Sequence, residues 1–156
     1  MMSTTKAMTA LALAMLVDEG KVAWNDPVTK HLPWFQLSDA FVTRNLTVRD
    51  LLLHNSGLGN TDGLWARGDL DSRQIIERLQ KVPLSYSLRD GFIYQNVMYQ
   101  VAGEVVQSAS GMAWDTFVKT RIMAPIGMTR SQPTLTAMAA MGDKNTSSAH
   151  FEIDGK

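Results

Sequence analysis

Apolar residues crowd the start of the chain. From Ala7 to Val17 only Thr9 is polar, and a helix apolar on all sides has to be wrapped by protein or lipid. The pattern predicts a helix over about 4–19, roughly 24 Å long at 1.5 Å per residue, running through the middle of a helical lobe. Ser3 reads as its N-cap, and Gly20 after Asp18-Glu19 can supply the left-handed residue that closes it. Residues 71–82 carry Ile75, Ile76 and Leu79 on one face with charges opposite, a surface helix ended by Pro83. Residues 95–110 place Val97, Val101, Val105 and Val106 inward, with Gly111 as the stop. A helix over 114–122 runs into Ala124-Pro125-Ile126-Gly127-Met128. Shorter helices are expected from Pro27 and behind Thr47 as cap, before a Gly-rich turn at 55–60. Residues 131–147 read as loop with a helical turn, and 149–153 as a strand entering an Asp154-Gly155 hairpin turn. The fold class is therefore mainly α, with a helical lobe over 1–147 and the start of a strand or hairpin over 148–156.

Composition narrows the function classes. At 156 residues, 45% hydrophobic and 19% charged, the chain is one folded domain with a real core. Fifteen basic and fifteen acidic side chains cancel without a basic cluster, which argues against nucleic acid and anionic membrane as partners. The apolar run is shorter than the roughly 20 residues a membrane-spanning helix needs. A lysine near the start, the apolar run and Ala12-Leu13-Ala14 also resemble a signal peptide, but the small-residue triplet lies inside the run and the run leads into Asp18-Glu19. The chain lacks cysteine, and His31, His54 and His150 show no ligand spacing, so the reading has no metal and no cofactor. The compartment stays open.

Candidate chemistry begins at Ser3-Thr4-Thr5-Lys6. Three positions apart on a helix, a serine and a lysine share a face. A hydroxyl becomes a nucleophile when a neighbouring group takes its proton, which a partly desolvated lysine can do or relay. The positive end of the helix would lie where an oxyanion forms. Read by themselves, the four residues fit a cap with a solvated lysine at least as well.

Further motifs follow in order. The stretch from Leu46 to Leu58, with Leu51-Leu52-Leu53-His54-Asn55-Ser56-Gly57-Leu58 at its end, is one. Phe92-Ile93-Tyr94-Gln95-Asn96 with Tyr99 is another, and Arg121 to Met128 a third. Together with Ser3-Thr4-Thr5-Lys6, Asp26-Pro27-Val28 and Leu32-Pro33, they resemble the serine β-lactamase-related hydrolases. That family includes class C β-lactamases, penicillin-binding-protein-like esterases and D-aminopeptidases. The resemblance spans nearly the whole chain, and it implies the helical lobe of the β-lactamase/transpeptidase-like fold with most of the antiparallel sheet lobe absent.

The resemblance implies Ser3 as the acylated nucleophile, Lys6 as its proton partner and Tyr94 as general base. It implies Asn96 as the residue that orients Lys6 and the substrate's acyl group. Tyr94 could instead be a core aromatic, and Asn96 a helix N-cap. His54 and Ser56 are expected to shape the lobe. The expected substrate is a small-molecule ester, amide or β-lactam, opened through an acyl-enzyme. The family's third motif, a Lys or His two residues before a Gly on a strand, has no match after Tyr94. Lys119-Thr120-Arg121 comes nearest, lacks the glycine and falls in a helix. Loss of one oxyanion donor costs on the order of 10²–10³ in rate, so the competing expectation is a truncated, catalytically impaired or inactive unit that self-associates through the apolar face left by the missing sheet.

Overall fold

The computed structural model describes residues 2–65, 68 and 70–146. A 3₁₀ turn, Met2–Thr5, leads into α1, Lys6–Asp18. Four short helices follow: α2 (Val28–His31), α3 (Ala40–Asn45), α4 (Asp50–Leu53) and α5 (Asp62–Trp65). Next come α6 (Ser72–Arg78), with a 3₁₀ turn Leu79–Lys81 behind it, and the longest helix, α7 (Asn96–Ser110). α8 (Trp114–Phe117) runs into a π-helical stretch, Val118–Met123, and α9 spans Leu135–Ala140. Isolated antiparallel bridges join Pro27 to Thr47 and Leu58 to Leu84. The strand expected at 149–153 and its turn lie outside the described residues.

The centre of the lobe is α7, where the sequence pattern pointed to α1. It packs against α1, α2, α4, α5, α6 and α8. Its buried side is Val97, Met98, Val101, Ala102, Val105 and Val106, all without solvent exposure. Two touching stripes per turn let one helix meet neighbours on several sides, which a single amphipathic stripe does not allow.

The wrapped helix expected at the N-terminus is covered on one side only. Thr9, Ala12, Leu13 and Leu16 are buried, while Ala7 is exposed and Leu11 keeps 46% of its surface in solvent. Thr9, the polar member of the run, faces inward because its Oγ1 accepts a hydrogen bond from Trp114 Nε1 at 3.1 Å. That partner removes the penalty for burying a hydroxyl. At the other end Gly20 (φ 69°) closes α1 in a Schellman arrangement, with Gly20 N–H on the Val17 carbonyl and Lys21 N–H on that of Leu16.

Other ends follow their sequence signals. Asp71 and Gln74 form a reciprocal capping box at α6. Thr134 caps α9 through Ala137 N–H. Thr47 does receive the Asp50 N–H at 3.4 Å and donates its own hydroxyl to Asp50 Oδ2 at 2.6 Å, although α4 starts only at Asp50. Among the described residues no helix is long and apolar enough to cross a membrane.

Candidate active site

Two stretches meet at the mouth of α1. One is the 3₁₀ turn with Ser3 and the first helical residue, Lys6; the other is the extended segment that enters α7 at Tyr94, Gln95 and Asn96. Ser3 Oγ lies 2.5 Å from Tyr94 Oη, and Lys6 Nζ donates to Ser3 Oγ at 3.2 Å. The same ammonium donates to Asn96 Oδ1 at 2.7 Å. All four residues singled out in the sequence, Ser3, Lys6, Tyr94 and Asn96, therefore share one hydrogen-bonded cluster.

Two local expectations are corrected. Ser3 is not the N-cap of α1. It sits inside the 3₁₀ turn, Thr5 holds the cap position without a side-chain bond, and the serine hydroxyl turns to Tyr94 and Lys6 instead. Nor is Asn96 a cap. It is the first residue of α7, Gln95 precedes it, and both ends of its amide are bonded elsewhere: Oδ1 to Lys6, Nδ2 to Asp62 Oδ1 at 3.0 Å.

Tyr94 is held over solvent, with 40% of its surface exposed. Its ring lies on the His54 imidazole, centroids 4.5 Å apart, and Lys6 Nζ stands 4.6 Å from its centroid. The neighbouring Lys6 ammonium and the Ser3 hydroxyl hold the Tyr94 phenol below the ordinary tyrosine value. A phenol so placed ionises more readily and can take a proton from Ser3.

His54 is the shelf beneath that phenol. It adopts a left-handed backbone (φ 59°) at the end of α4, and its Nδ1 accepts the Gln95 N–H at 3.0 Å. Burial and then the Lys6 charge push its pKa down, which keeps the imidazole neutral and the acceptor available. Phe92 meets the ring edge-on at 5.5 Å. Ser56 is buried, and its Oγ accepts the Leu58 N–H at 3.3 Å. Beside it Gly57 (φ 84°) brings its backbone so close to Tyr86 that an added Cβ would stand 2.3 Å from the Tyr86 carbonyl oxygen. The loop therefore stays tight against residues 85–87.

Two residues in the cluster went unread in the sequence. Gln95, 1% exposed, donates through Nε2 to the carbonyls of Leu58 and Gly59 at 2.6 and 2.5 Å. Its position between Tyr94 and Asn96 was the available signal. Asp62 follows the Gly-rich turn, and its local pattern does not mark its partner 34 residues away.

Next to the cluster lies a cavity of about 680 Å³, lined among others by Ser3, Lys6, Asn96, Tyr99, Gln100 and Trp114. Among the described residues no group of His, Asp and Glu is arranged to hold a metal ion. The Lys119-Thr120-Arg121 stretch lies in the π-helical segment. Lys119 donates to the Ser131 carbonyl, Thr120 to that of Thr116, and Arg121 pairs with Glu19. All three are tied into the scaffold.

Comparison with known proteins places the chain among hydrolase relatives. The chain is 32% identical over 150 residues to the unguisins hydrolase ungD' of Aspergillus campestris, covering 90% of this chain and 28% of that protein. Against penicillin-binding protein 4* of Bacillus subtilis it is 31% identical over 138 residues, 83% of this chain and 29% of the other. Esterase EstB of Burkholderia gladioli shares 34% over 142 residues, 81% and 36% respectively. Among solved structures, the octameric penicillin-binding protein homologue from Pyrococcus abyssi superposes with a TM-score of 0.75 at 27% identity, covering 90% of this chain and 33% of that one. The D-amino acid amidase from Ochrobactrum anthropi gives 0.69 at 26%, covering 82% and 38%. The chain thus spans about a third of the length of the relatives it matches, and what it matches there is a helical portion of the β-lactamase/transpeptidase-like fold. The Beta-lactamase family profile matches residues 1–152, and the chain belongs to that family.

Proposed function

We propose that Ser3 is the nucleophile of a serine hydrolase that acts on the carbonyl of a small ester, amide or β-lactam. The observation that carries the reading is the Ser3 Oγ–Tyr94 Oη contact of 2.5 Å beside the Lys6 ammonium. As Ser3 Oγ bonds to the carbonyl carbon, its proton passes to the ionised Tyr94 phenol, with Lys6 stabilising the phenolate. Collapse of the tetrahedral intermediate breaks the C–O or C–N bond, the departing alcohol or amine (still tethered, for an opened β-lactam) takes that proton from Tyr94, and an acyl group is left on Ser3. Water, giving a proton to the regenerated Tyr94 phenolate, then attacks the acyl carbon, and as the bond to Ser3 Oγ breaks the phenol returns that proton to Ser3 and the acid is released. Asn96 holds Lys6 in place through Oδ1. The names of the relatives, a penicillin-binding protein, an esterase and an amidase, support carbonyl chemistry in general and leave the leaving group open.

The test is intact mass after treatment with a fluorophosphonate or a β-lactam, wild type against Ser3→Ala. An adduct on the wild type only is the expected result. A folded wild type without adduct overturns the reading.

A second reading, an impaired unit that pairs with another copy through α1, is favoured by the exposure of Ala7 and Leu11 on an otherwise apolar helix. Sedimentation that shows a dimer lost in Leu11→Lys supports it, and a monomer at high concentration removes it.

A further inference from the structure

The cluster depends on which way the Asn96 amide faces. Its oxygen and nitrogen are nearly the same size, and a flip would turn an N–H pair toward the Lys6 ammonium, donor against donor. Lys6 fixes the Oδ1 end at 2.7 Å. The Nδ2 end is fixed by Asp62 Oδ1 at 3.0 Å. A carboxylate accepts and never donates, so it admits one orientation of the amide only.

Asp62 is itself delivered by a built loop. Asn60 Oδ1 accepts the Asp62 N–H at 2.9 Å, an Asx turn that sets the backbone there. The loop is stapled to the entrance of α7 by Gln95, which donates to the Leu58 and Gly59 carbonyls and accepts from Thr61 Oγ1 at 3.3 Å. Consecutive residues thus do complementary work: Gln95 grips the loop backbone, and Asn96 donates to the carboxylate of Asp62, the first residue of α5 just behind that loop.

We infer that Asp62 is a positioning residue of this site, acting through Asn96 to hold Lys6 against Ser3. The inference rests on the hydrolase reading for its kinetic consequence and on the hydrogen-bond geometry for its structural one, and the two are tested separately. In the full chain, the second-order rate of fluorophosphonate labelling of Ser3 is measured for wild type, Asp62→Ala, Asp62→Asn, Asn96→Ala and the Asp62→Ala/Asn96→Ala double variant. Solvent exchange of the Asn96 side-chain amide protons is followed by NMR in wild type and Asp62→Ala.

Asp62→Ala is expected to slow labelling about tenfold, the scale of one lost hydrogen bond to a charged group. Asp62→Asn, whose Oδ1 still accepts from Asn96, stays within about threefold of wild type on the same scale. The double variant is no slower than Asn96→Ala, because residues that act as one unit are not additive. Wild-type labelling in Asp62→Ala overturns the inference. So does a double variant that loses the product of both effects, which would make Asp62 act independently of Asn96. If the wild type takes no adduct, the hydrolase reading fails by itself and amide exchange decides. Faster exchange at Asn96 in Asp62→Ala supports the positioning role, and unchanged exchange removes it.

Discussion

Asp50 and Tyr94 each gather side chains from distant parts of the chain, and both clusters tie residues near one end of α4 to the stretch between α6 and α7. Asp50 is 3% exposed and its carboxylate is saturated. It accepts from Thr47 N and Oγ1, Asn55 Nδ2, and Arg89 Nε and Nη2. Burial works to raise its pKa, but the bonds from Arg89, Thr47 and Asn55 outweigh it, so the carboxyl titrates below the ordinary value. Tyr94 lies at the surface with few partners and a hydroxyl shared with a potential nucleophile. A saturated buried group holds strands of chain together and has no bonding capacity left for a ligand. An exposed, incompletely bonded one contributes little to folding and keeps its capacity for chemistry.

The contrast breaks most visibly at Ser3. Ser3→Ala is expected to cut fluorophosphonate labelling by at least about 10³-fold, as loss of a nucleophile does. Its unfolding free energy stays within about 0.5 kcal/mol of wild type, the usual range for a surface position. A labelled Ser3→Ala, or one that melts early, would show that the two clusters are not divided in this way.

Asp50→Ala should do the reverse. Removing the acceptor leaves Thr47 N–H, Asn55 and Arg89 without their common partner; the Arg89 guanidinium is half-exposed and regains water, so the loss is that of the part-buried donors left unpaired, about 2 kcal/mol. Urea denaturation measures it. Labelling of the protein that remains folded should persist, and a loss under about 1 kcal/mol would remove Asp50 from its structural role.

Tyr94→Phe comes next in size. The phenyl ring can still lie on His54, so the shelf survives while the proton acceptor goes. Labelling is expected to fall about 10²-fold. In the wild type the rate should rise with the fraction of phenolate. Because the pKa lies below the ordinary 10.0, half-maximal labelling falls on the acid side of that pH. A flat profile, or one with its midpoint above 10.0, contradicts a Tyr94 base.

Much of the scaffold was legible because it depends on local order. Val97, Val101, Val105 and Val106 recur at helical spacing and are all buried, as are Ile75, Ile76 and Leu79 on the face expected of α6 and the turn behind it. The central place of α7 was not legible, since hydrophobicity says that a helix is covered and not by how many neighbours. α1 misled for the same reason: the one polar residue of its apolar run, Thr9, is buried against Trp114 from 105 positions away. Ser3 and Lys6 were suggested by spacing, but their meeting with Tyr94 across 91 residues came from likeness to a family, not from periodicity. Asp62 escaped because an amide's orientation is decided by contacts at both ends, and one of them comes from the first residue of α5, a helix too short to show a pattern of its own. The π-helical stretch 118–123 also went unread, since its residues have ordinary helical character.

The smallest effect is one of acidity, and it separates scaffold from site again. Asp26 joins the loop after α1 to α2: it accepts from Ala23 N–H, Lys30 Nζ and His31 Nε2 at 2.8–2.9 Å. Burial works against its ionisation, yet the bonds from Lys30, Ala23 and His31 prevail and its pKa drops from 3.8 to about 2. A carboxyl whose folded pKa is depressed adds stability that is present in full above its unfolded pKa and is lost as the pH falls through the folded one. For Asp26 that window runs from 3.8 down to about 2, and Asp50 shifts in the same direction. The melting temperature of the wild type should therefore decline as the pH is lowered through this window. Asp26→Asn should start lower at neutral pH and decline less steeply, because one proton-linked contribution is gone. The Tyr94 phenol remains protonated throughout that range, so Tyr94→Phe should follow the wild-type slope. Parallel slopes for wild type and Asp26→Asn would place the acid sensitivity elsewhere, and a changed slope in Tyr94→Phe would show the site cluster supporting the fold after all.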